Sequence, residues 1–213
     1  WSCLIRARCL PSTPSASMTE IDCRNWEARY ASGDAPIHAR PNRWLARQAV
    51  FVDAAAAACV SKPQALDIAC GAGGTLAWLA QRGWQVTGVD ISRTALAIAQ
   101  AQLAEAGLLT QGVLVQADLD GWRPEPDCCD LLTCFNFLDR RLWPAMRLAV
   151  RPLGLICLKT FHRGRLAERP DTNPAHLLAP GELAALIASW GWRLLAMESD
   201  AQVEAVLAQR VEG

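Results

Sequence analysis

The chain has 213 residues, 52% of them apolar, which suits one α/β domain with a sizeable core. Its 21 basic and 21 acidic residues give a formal net charge of zero, which argues against a general nucleic-acid binder because such proteins usually carry a basic excess. No apolar run is long enough to cross a membrane. The nine cysteines are scattered and form no Cys-x-x-Cys pair, so we predict reduced core residues of a cytoplasmic protein and no metal site.

Residues 1–17 differ from the rest of the chain. They begin with Trp1, end in a proline- and serine-rich stretch and show no amphipathic pattern. A signal peptide is the alternative, but the apolar stretch is short and arginines interrupt it. We predict a disordered or non-native leader over residues 1–17, a natural start at Met18 and a single domain over residues 18–213.

Residues 22–44 are polar and rich in aromatic side chains. We predict neither a strand nor a long helix here. Trp26 and Tyr30 are four residues apart, a spacing that lets two side chains pin a short helix to a core.

The rest of the chain alternates between helical and extended patterns. Ser92 is a candidate N-cap and Gly107 a candidate helix stop. The predicted helices cover residues 43–60, 75–81, 92–106, 140–150 and 180–190. The predicted strands cover residues 65–70, 84–90, 113–117, 131–137, 153–161 and 192–197, whereas residues 201–210 are compatible with a helix by propensity. This alternation predicts a doubly wound, mostly parallel sheet, and residues 161–180 are predicted to be a long polar loop.

A glycine turn follows the first strand. Gly71 and Gly73 separate that strand from a helix, and Asp90 ends the next strand about twenty residues later, where a ribose-binding carboxylate belongs. A dinucleotide motif would need a third glycine at the position of Leu76, and no Gly-Lys-Ser/Thr phosphate loop is present. The turn therefore predicts a nucleotide-type ligand at a helix N-terminus.

The segment from Leu66 to Gly73 resembles the first motif of class I S-adenosylmethionine-dependent methyltransferases, with Ala69 in place of the first glycine. The resemblance covers residues 22–211. It implies a single doubly wound, mostly parallel seven-stranded sheet with helices on both faces, a Rossmann-like methyltransferase fold whose last strand is antiparallel. On this resemblance we predict a strand over residues 202–211, which forms an antiparallel hairpin with 192–197. It also implies S-adenosyl-L-methionine as the cofactor.

The same resemblance implies a role for individual residues. Asp67 would organise the turn and hold the amino group, Asp90 would accept from the ribose hydroxyls, and Asp118 would accept from the adenine amino group. Because Asp90 stands at the edge of the sheet, we expect its carboxylate to be solvated in the protein without cofactor. The full implied cofactor set is Asp67, Ala69, Gly71, Gly73, Asp90, Ile91, Asp118, Leu119, Cys134 and Phe135.

Further segments, one near the N-terminus and four in the second half of the chain, resemble a narrower branch of the family. Trp26, Arg29 and Tyr30 resemble the N-terminus of tellurite-resistance and thiopurine-type methyltransferases, where this segment folds over cofactor and substrate; this implies a substrate or lid role for all three. Residues 135–140, 159–161, 172–174 and 177–183 resemble a bacterial branch of small methyltransferases. Lys159 stands where an acid is expected in that branch.

Methyl transfer from a sulfonium needs mainly alignment, so a general base is needed only for an amine or hydroxyl acceptor. His162, Arg163 and His176 are the candidate catalytic residues, and solvated loop residues are the alternative interpretation for the histidines. The predicted acceptor is a small molecule, such as a chalcogen oxyanion or a thiol. An RNA or protein acceptor and a non-catalytic cofactor-binding module are the alternatives. We predict a cytoplasmic monomer or homodimer without a nucleic-acid or membrane partner.

Overall fold

The computed structural model describes residues 18–34 and 40–212, with side chains from residue 23 onward. The helices are α1 (Met18–Ser32), α2 (Arg43–Arg47), α3 (Ala49–Ala58), α4 (Gly74–Ala80), α5 (Arg93–Glu105), α6 (Trp143–Ala149) and α7 (Glu182–Ser189). The strands are β1 (Gln64–Ile68), β2 (Gln85–Asp90), β3 (Gly112–Gln116), β4 (Cys129–Phe135), β5 (Val150–Phe161), β6 (Arg193–Ser199) and β7 (Val203–Gln209). The leader predicted over residues 1–17 lies outside the described residues.

The seven strands form one sheet in the order β3–β2–β1–β4–β5–β7–β6. Strands β1 to β5 run parallel to one another, and β7 runs antiparallel to both β5 and β6. The predicted fold class, including the C-terminal hairpin, is confirmed. The strand order reverses direction between β1 and β4, and open α/β sheets bind ligands at the carboxyl edge of such a switch point.

The core lies on both faces of the sheet. On one face α6 and α7 bury Leu142, Met146 and Ile187 against the strands. On the other face α2 to α5 bury a second set, which includes Trp44 and Leu76. The described helices include none that combines the length and apolar character needed to span a bilayer.

Ser92 caps α5 as predicted, because its Oγ accepts a hydrogen bond from Ala95 N–H at 3.0 Å. A buried carboxylate caps α7: Glu204 of β7 accepts from the N–H groups of Gly181 and Ala184 at 3.0 and 3.1 Å. Negative charge at a helix N-terminus is favourable, so Glu204 fixes the end of the polar loop to the sheet.

The prediction for residues 22–44 is wrong, because α1 is a helix of 15 residues. Its residues from Cys23 to Ser32 are mostly exposed, and the helix has no apolar stripe, so contacts with other elements hold it in place. The single helix predicted over residues 43–60 is two helices, α2 and α3, which meet at Gln48.

Candidate cofactor and acceptor site

The glycine turn connects β1 to α4 at the carboxyl edge. Gly71 and Gly73 have φ angles of +53° and +82°, in the left-handed region that favours glycine. A Cβ atom on Gly73 would lie 2.6 Å from Cβ of Ala99 in α5, and one on Gly71 would lie 2.5 Å from the hydroxyl of Tyr30 in α1. The turn therefore needs glycine at both positions, for conformation and for space.

Ala69 also has a positive φ, +55°. This is the position at which the methyltransferase motif has a glycine, and the reason for a glycine there is now clear. A left-handed conformation costs a residue with a Cβ roughly 1–2 kcal/mol. The chain therefore holds a strained alanine next to the turn.

We expect the substitution Ala69→Gly to raise the free energy of unfolding by up to about 1 kcal/mol, because relief of the strain exceeds the extra chain entropy of glycine. Urea denaturation of both proteins measures the change. Ala72→Gly is the control, since Ala72 is buried in the same turn but is not among the residues with positive φ. A loss of stability in Ala69→Gly as large as in the control would contradict the assignment of strain.

Asp90 braces the turn. Its Oδ2 accepts a hydrogen bond from Gly71 N–H at 2.8 Å, and its Oδ1 accepts one from Ser92 N–H at 2.9 Å. The residue is 8% exposed, and this burial raises the pKa of Asp90. The hydrogen bonds from Ser92 N–H and Gly71 N–H lower the pKa, but by less than burial raises it. The expectation that this carboxylate is solvated without cofactor is wrong, because it is part of the folded turn.

Asp67 is buried beneath the turn. It lies in β1 opposite Thr133 of β4, whose hydroxyl donates a hydrogen bond of 2.6 Å to Oδ1. Burial raises the pKa of Asp67 to about 7, although the hydrogen bond from Thr133 lowers it. The carboxyl group therefore changes charge close to neutral pH.

The positions implied for adenine lie beside the ends of β2 and β3. Asp118 accepts a hydrogen bond from Asp120 N–H at 2.9 Å and so shapes its own loop. Leu119 is buried and Ile91 is half-buried. The carbonyl of Ile91 accepts from Gln116 Nε2 at 3.3 Å, which holds the two strand ends together.

Helix α1 lies against this edge. Glu27 accepts hydrogen bonds from the N–H groups of Arg93 and Thr94, the latter at 3.2 Å, and so caps the first turn of α5. Burial alone would raise the pKa of Glu27, but the hydrogen bonds from Thr94 and Arg93 lower it. Cys23 Sγ lies 4.0 Å from the carbonyl oxygen of Ile91. The predicted lid is therefore a helix anchored to α5.

Tyr30 is the residue of α1 that reaches the turn. Burial, together with the negative charge of Asp90, raises the pKa of Tyr30 to about 12, so its hydroxyl stays protonated. Any ligand that reaches Gly71 meets this hydroxyl. Trp26 is 38% exposed, and the guanidinium of Arg29 lies 4.5 Å from its ring centroid. These two side chains contact each other on the outer part of the helix.

The end of β4 is apolar. Cys134 is buried, which raises the pKa of its thiol, and Phe135 is half-buried. A narrow cavity lies beside Cys134, and its remaining walls are Phe137, Leu138, Asp139, Leu142, Trp143, Met146, Leu158, Lys159, Thr160 and Leu183. The chain then turns at Asn136, which has a φ of +57°. An acceptor at this edge meets mainly apolar surface.

The structure does not favour the histidines as bases. His162 is 6% exposed; its Nδ1 accepts from Gly164 N–H at 3.0 Å, and its Nε2 lies 2.9 Å from the carbonyl oxygen of Asp200. Both ring nitrogens are therefore used to join the loop to the start of β7. His176 and Arg163 are exposed. None of the three has a contact that prepares it for proton transfer.

Arg140 fixes the long loop in place. Its guanidinium donates to both carboxylate oxygens of Glu182, at 2.5 and 2.8 Å, and to the carbonyl oxygens of Ala175 and Leu177 at 3.2 and 3.0 Å. The exposed loop is thus tied to the start of α7 rather than free at the edge of the sheet.

The comparisons with known proteins agree with this geometry. Residues 65–153, from β1 into the start of β5, match the family model described as a methyltransferase domain. The matched residues make up less than half of the chain. They include the glycine turn, Asp90 and Asp118.

Curated relatives match over part of their length. The ubiquinone biosynthesis O-methyltransferase of Azoarcus sp. (strain BH72) is 32% identical over 103 residues, 46% of this chain and 44% of that protein. The ribosomal RNA small subunit methyltransferase C of Alcanivorax borkumensis is 44% identical over 61 residues, 28% of this chain and 18% of that protein. The chain thus spans less than half the length of these two relatives.

Solved structures share the fold over more of the chain. An S-adenosylmethionine-dependent methyltransferase from Mesorhizobium loti has a TM-score of 0.58 at 21% identity, covering 74% of this chain and 96% of that one. Geranyl diphosphate C-methyltransferase from Streptomyces coelicolor has a TM-score of 0.63 at 12% identity, covering 78% of each chain. At these identities the similarity establishes the fold alone.

Sequence reasoning missed two contacts of the site. Glu27 caps the helix that begins 66 residues further along the chain, and the Thr133 hydroxyl of β4 donates a hydrogen bond to Asp67 of the adjacent strand β1. Only the strand register and the position of α1 bring these pairs together. Thr133 is a polar residue between Leu132 and Cys134, and this was the one local signal.

Proposed function

We propose that this protein transfers a methyl group from S-adenosyl-L-methionine to a small-molecule acceptor. The observation that carries the proposal is the joint placement of Asp90 and the glycine turn at the switch point of the sheet. A carboxylate there accepts from ribose hydroxyls, and glycines there let the aminoacyl part approach the backbone. The narrower branch, tellurite-resistance and thiopurine-type enzymes, is supported by the sequence segments that resemble it.

The cofactor supplies an activated methyl group, which an acceptor takes by in-line displacement to leave S-adenosylhomocysteine. The residues of this chain bind, align and exclude water. Asp90 and Asp118 would bind the nucleoside, and the protonated Tyr30 would donate at the glycine turn. Helix α1, anchored through Glu27, would cover the donor, and the apolar end of β4 would receive the acceptor.

An RNA acceptor is the second candidate, and the match to a ribosomal RNA methyltransferase favours it. Of the four arginines that a basic rim would use, Arg163 is exposed and the other three are engaged with neighbours in the protein. Arg140 pairs with Glu182, Arg141 pairs with two aspartates, and Arg165 lies 3.7 Å from the ring centroid of Phe161. A small molecule therefore fits the surface charge better.

We expect S-adenosylhomocysteine at one hundred times its dissociation constant to raise the melting temperature by roughly 5–10 °C, because it binds the folded state alone. NADH at the same concentration should leave the temperature unchanged. Scanning calorimetry measures both. Stabilisation by NADH without stabilisation by S-adenosylhomocysteine would contradict the proposal.

The acceptor is found with methyl-labelled cofactor. Candidate thiols, chalcogen oxyanions, phenols and RNA are incubated separately, and the label is followed. Label in a small molecule supports the proposal, and label in RNA alone replaces it with the second candidate. Cofactor binding without transfer to any acceptor class would favour a non-catalytic module.

A further inference from the structure

Lys159 is unusual in this chain. Nineteen of the 21 basic residues are arginines, and Lys62 and Lys159 are the two lysines. Lys62 is exposed on the loop before β1, whereas Lys159 is half-buried near the carboxyl end of β5. A half-buried lysine at the ligand-binding edge of the sheet is a candidate for contact with a ligand.

The neighbours of Lys159 place it beside the proposed methyl donor. Its register partners are Phe135 of β4 on one side and Ala205 of β7 on the other. Adjacent strands lie roughly 4.8 Å apart, so Lys159 is one strand from the residue assigned to the methionine part of the cofactor. The position is therefore on the acceptor side of the donor.

Lys159 forms no ion pair among residues 18–34 and 40–212. The Asp200 carboxylate accepts hydrogen bonds from the N–H groups of Gln202 and Val203 at 2.7 and 2.9 Å. These bonds lower the pKa of Asp200, and the charge of Lys159 lowers it to a smaller extent. Asp67 is two strands and two residues away, roughly 12 Å between Cα atoms, and is bonded to Thr133. Within the described chain, the ammonium lacks a carboxylate of its own.

We propose that Lys159 binds an oxyanion group of the methyl acceptor, at a point remote from the atom that receives the methyl group. This inference rests on the proposed function and specifies the chemical class of its substrate. A half-buried ammonium gains most from a charged acceptor group, because each hydrogen bond between them is charge-assisted. The acid expected here in the related branch would repel the same group.

The oxyanion is remote for an electrostatic reason. When an anionic nucleophile attacks a sulfonium, the opposite charges at the two reacting atoms disappear. A cation beside an anionic nucleophile would stabilise the ground state more than the transition state and would slow the reaction. Bound to a second group of the acceptor, the same cation contributes equally to both states, so it improves binding without slowing transfer.

The two lysines allow a direct test by chemical labelling. The full chain, saturated with S-adenosylhomocysteine, is acetylated at low reagent concentration, and the rates at Lys62 and Lys159 are read by mass spectrometry. Benzoate, phenyl phosphate and selenite are the anionic probes, and benzamide is the neutral match to benzoate. We expect at least one anion to slow labelling of Lys159 about fivefold or more, with Lys62 unaffected and benzamide without effect.

Variants test whether the protection reports binding. Lys159→Met keeps the length of the side chain and removes its charge, Lys159→Arg restores charge, and Lys62→Met is the control. We expect the protecting anion to bind Lys159→Met roughly 10- to 100-fold more weakly by calorimetry, with partial recovery in Lys159→Arg and no change in Lys62→Met. Equal affinity in Lys159→Met, or no protection of Lys159 by any of the three anions, overturns the inference.

The labelling is repeated without S-adenosylhomocysteine to separate this inference from the proposed function. Protection of Lys159 by an anion, in a protein that does not bind S-adenosylhomocysteine, would overturn the methyltransferase proposal and leave an anion site. Binding of S-adenosylhomocysteine without anion protection would overturn the Lys159 site alone. With the acceptor identified, Lys159→Met should raise KM and leave kcat unchanged.

Discussion

Replacing Asp90 by alanine is expected to weaken the binding of S-adenosylhomocysteine by roughly 2–4 kcal/mol and to destabilise the protein without ligand by roughly 1–3 kcal/mol. The first effect is the loss of two charge-assisted hydrogen bonds to ribose. The second arises because Gly71 N–H and Ser92 N–H lose the acceptor that they share in the buried turn.

Calorimetry measures the binding, and urea denaturation without ligand measures the stability. Asp118→Ala is the matched control, because Asp118 is also assigned to the cofactor, but among the described residues its carboxylate accepts from Asp120 N–H of its own loop alone. It should lose affinity with a much smaller loss of stability. An unchanged dissociation constant in Asp90→Ala would remove Asp90 from the site, and an unchanged urea midpoint would show that the brace is dispensable.

The elements that the sequence predicted well carry a strong local signal. Ser92 caps α5 as predicted because capping depends on residues three apart. The position of β2 followed from an apolar run that ends at an acid. The C-terminal hairpin is different: residues 201–210 are compatible with a helix by propensity, and the resemblance to methyltransferases decided in favour of a strand.

The errors lie where contacts between distant residues determine the structure. Helix α1 has no apolar stripe of its own, and Glu27 and Tyr30 hold it through α5 and the glycine turn. Asp90 was expected to be solvated because a strand end is usually exposed, yet the turn folds over it. The strain at Ala69 shows neither as hydrophobicity nor as charge, and only its φ angle reveals why a glycine suits that position.

Asp67 links the buried core to the charge of the cofactor. The carboxyl group has no close cation among the described residues, and its hydrogen-bond donor is Thr133. Negative charge on Asp90 disfavours ionisation of Asp67 further. A cationic ammonium of the donor near this turn would favour the ionised form. We therefore expect cofactor affinity to rise between pH 6 and pH 8.

The stability of the protein without cofactor should fall as the pH rises, in contrast to the affinity for the cofactor. Asp67 has a pKa of about 7 in the folded state, against an ordinary value of 3.8. Below about pH 4 Asp67 is protonated in both the folded and the unfolded state, so it does not change the free energy of unfolding. Between pH 4 and pH 7 the unfolded chain ionises while the folded chain stays protonated, so stability falls by a total of about 4 kcal/mol and then levels off.

Asp67→Asn should remove most of this loss. The asparagine keeps an oxygen that accepts from Thr133 and carries no charge, so the variant should match the parent protein near pH 4 and exceed its stability by up to about 4 kcal/mol at pH 8. A smaller dependence of stability on pH should remain in Asp67→Asn, because the pKa of Asp90 is also raised.

Urea denaturation at pH 4, 6 and 8 measures the stability of both proteins. Asp171→Asn is the control, because Asp171 is exposed and forms no ion pair among the described residues. Parallel profiles for Asp67→Asn and the parent protein would show that Asp67 is already ionised at low pH, and the buried carboxyl group could then not couple cofactor binding to pH.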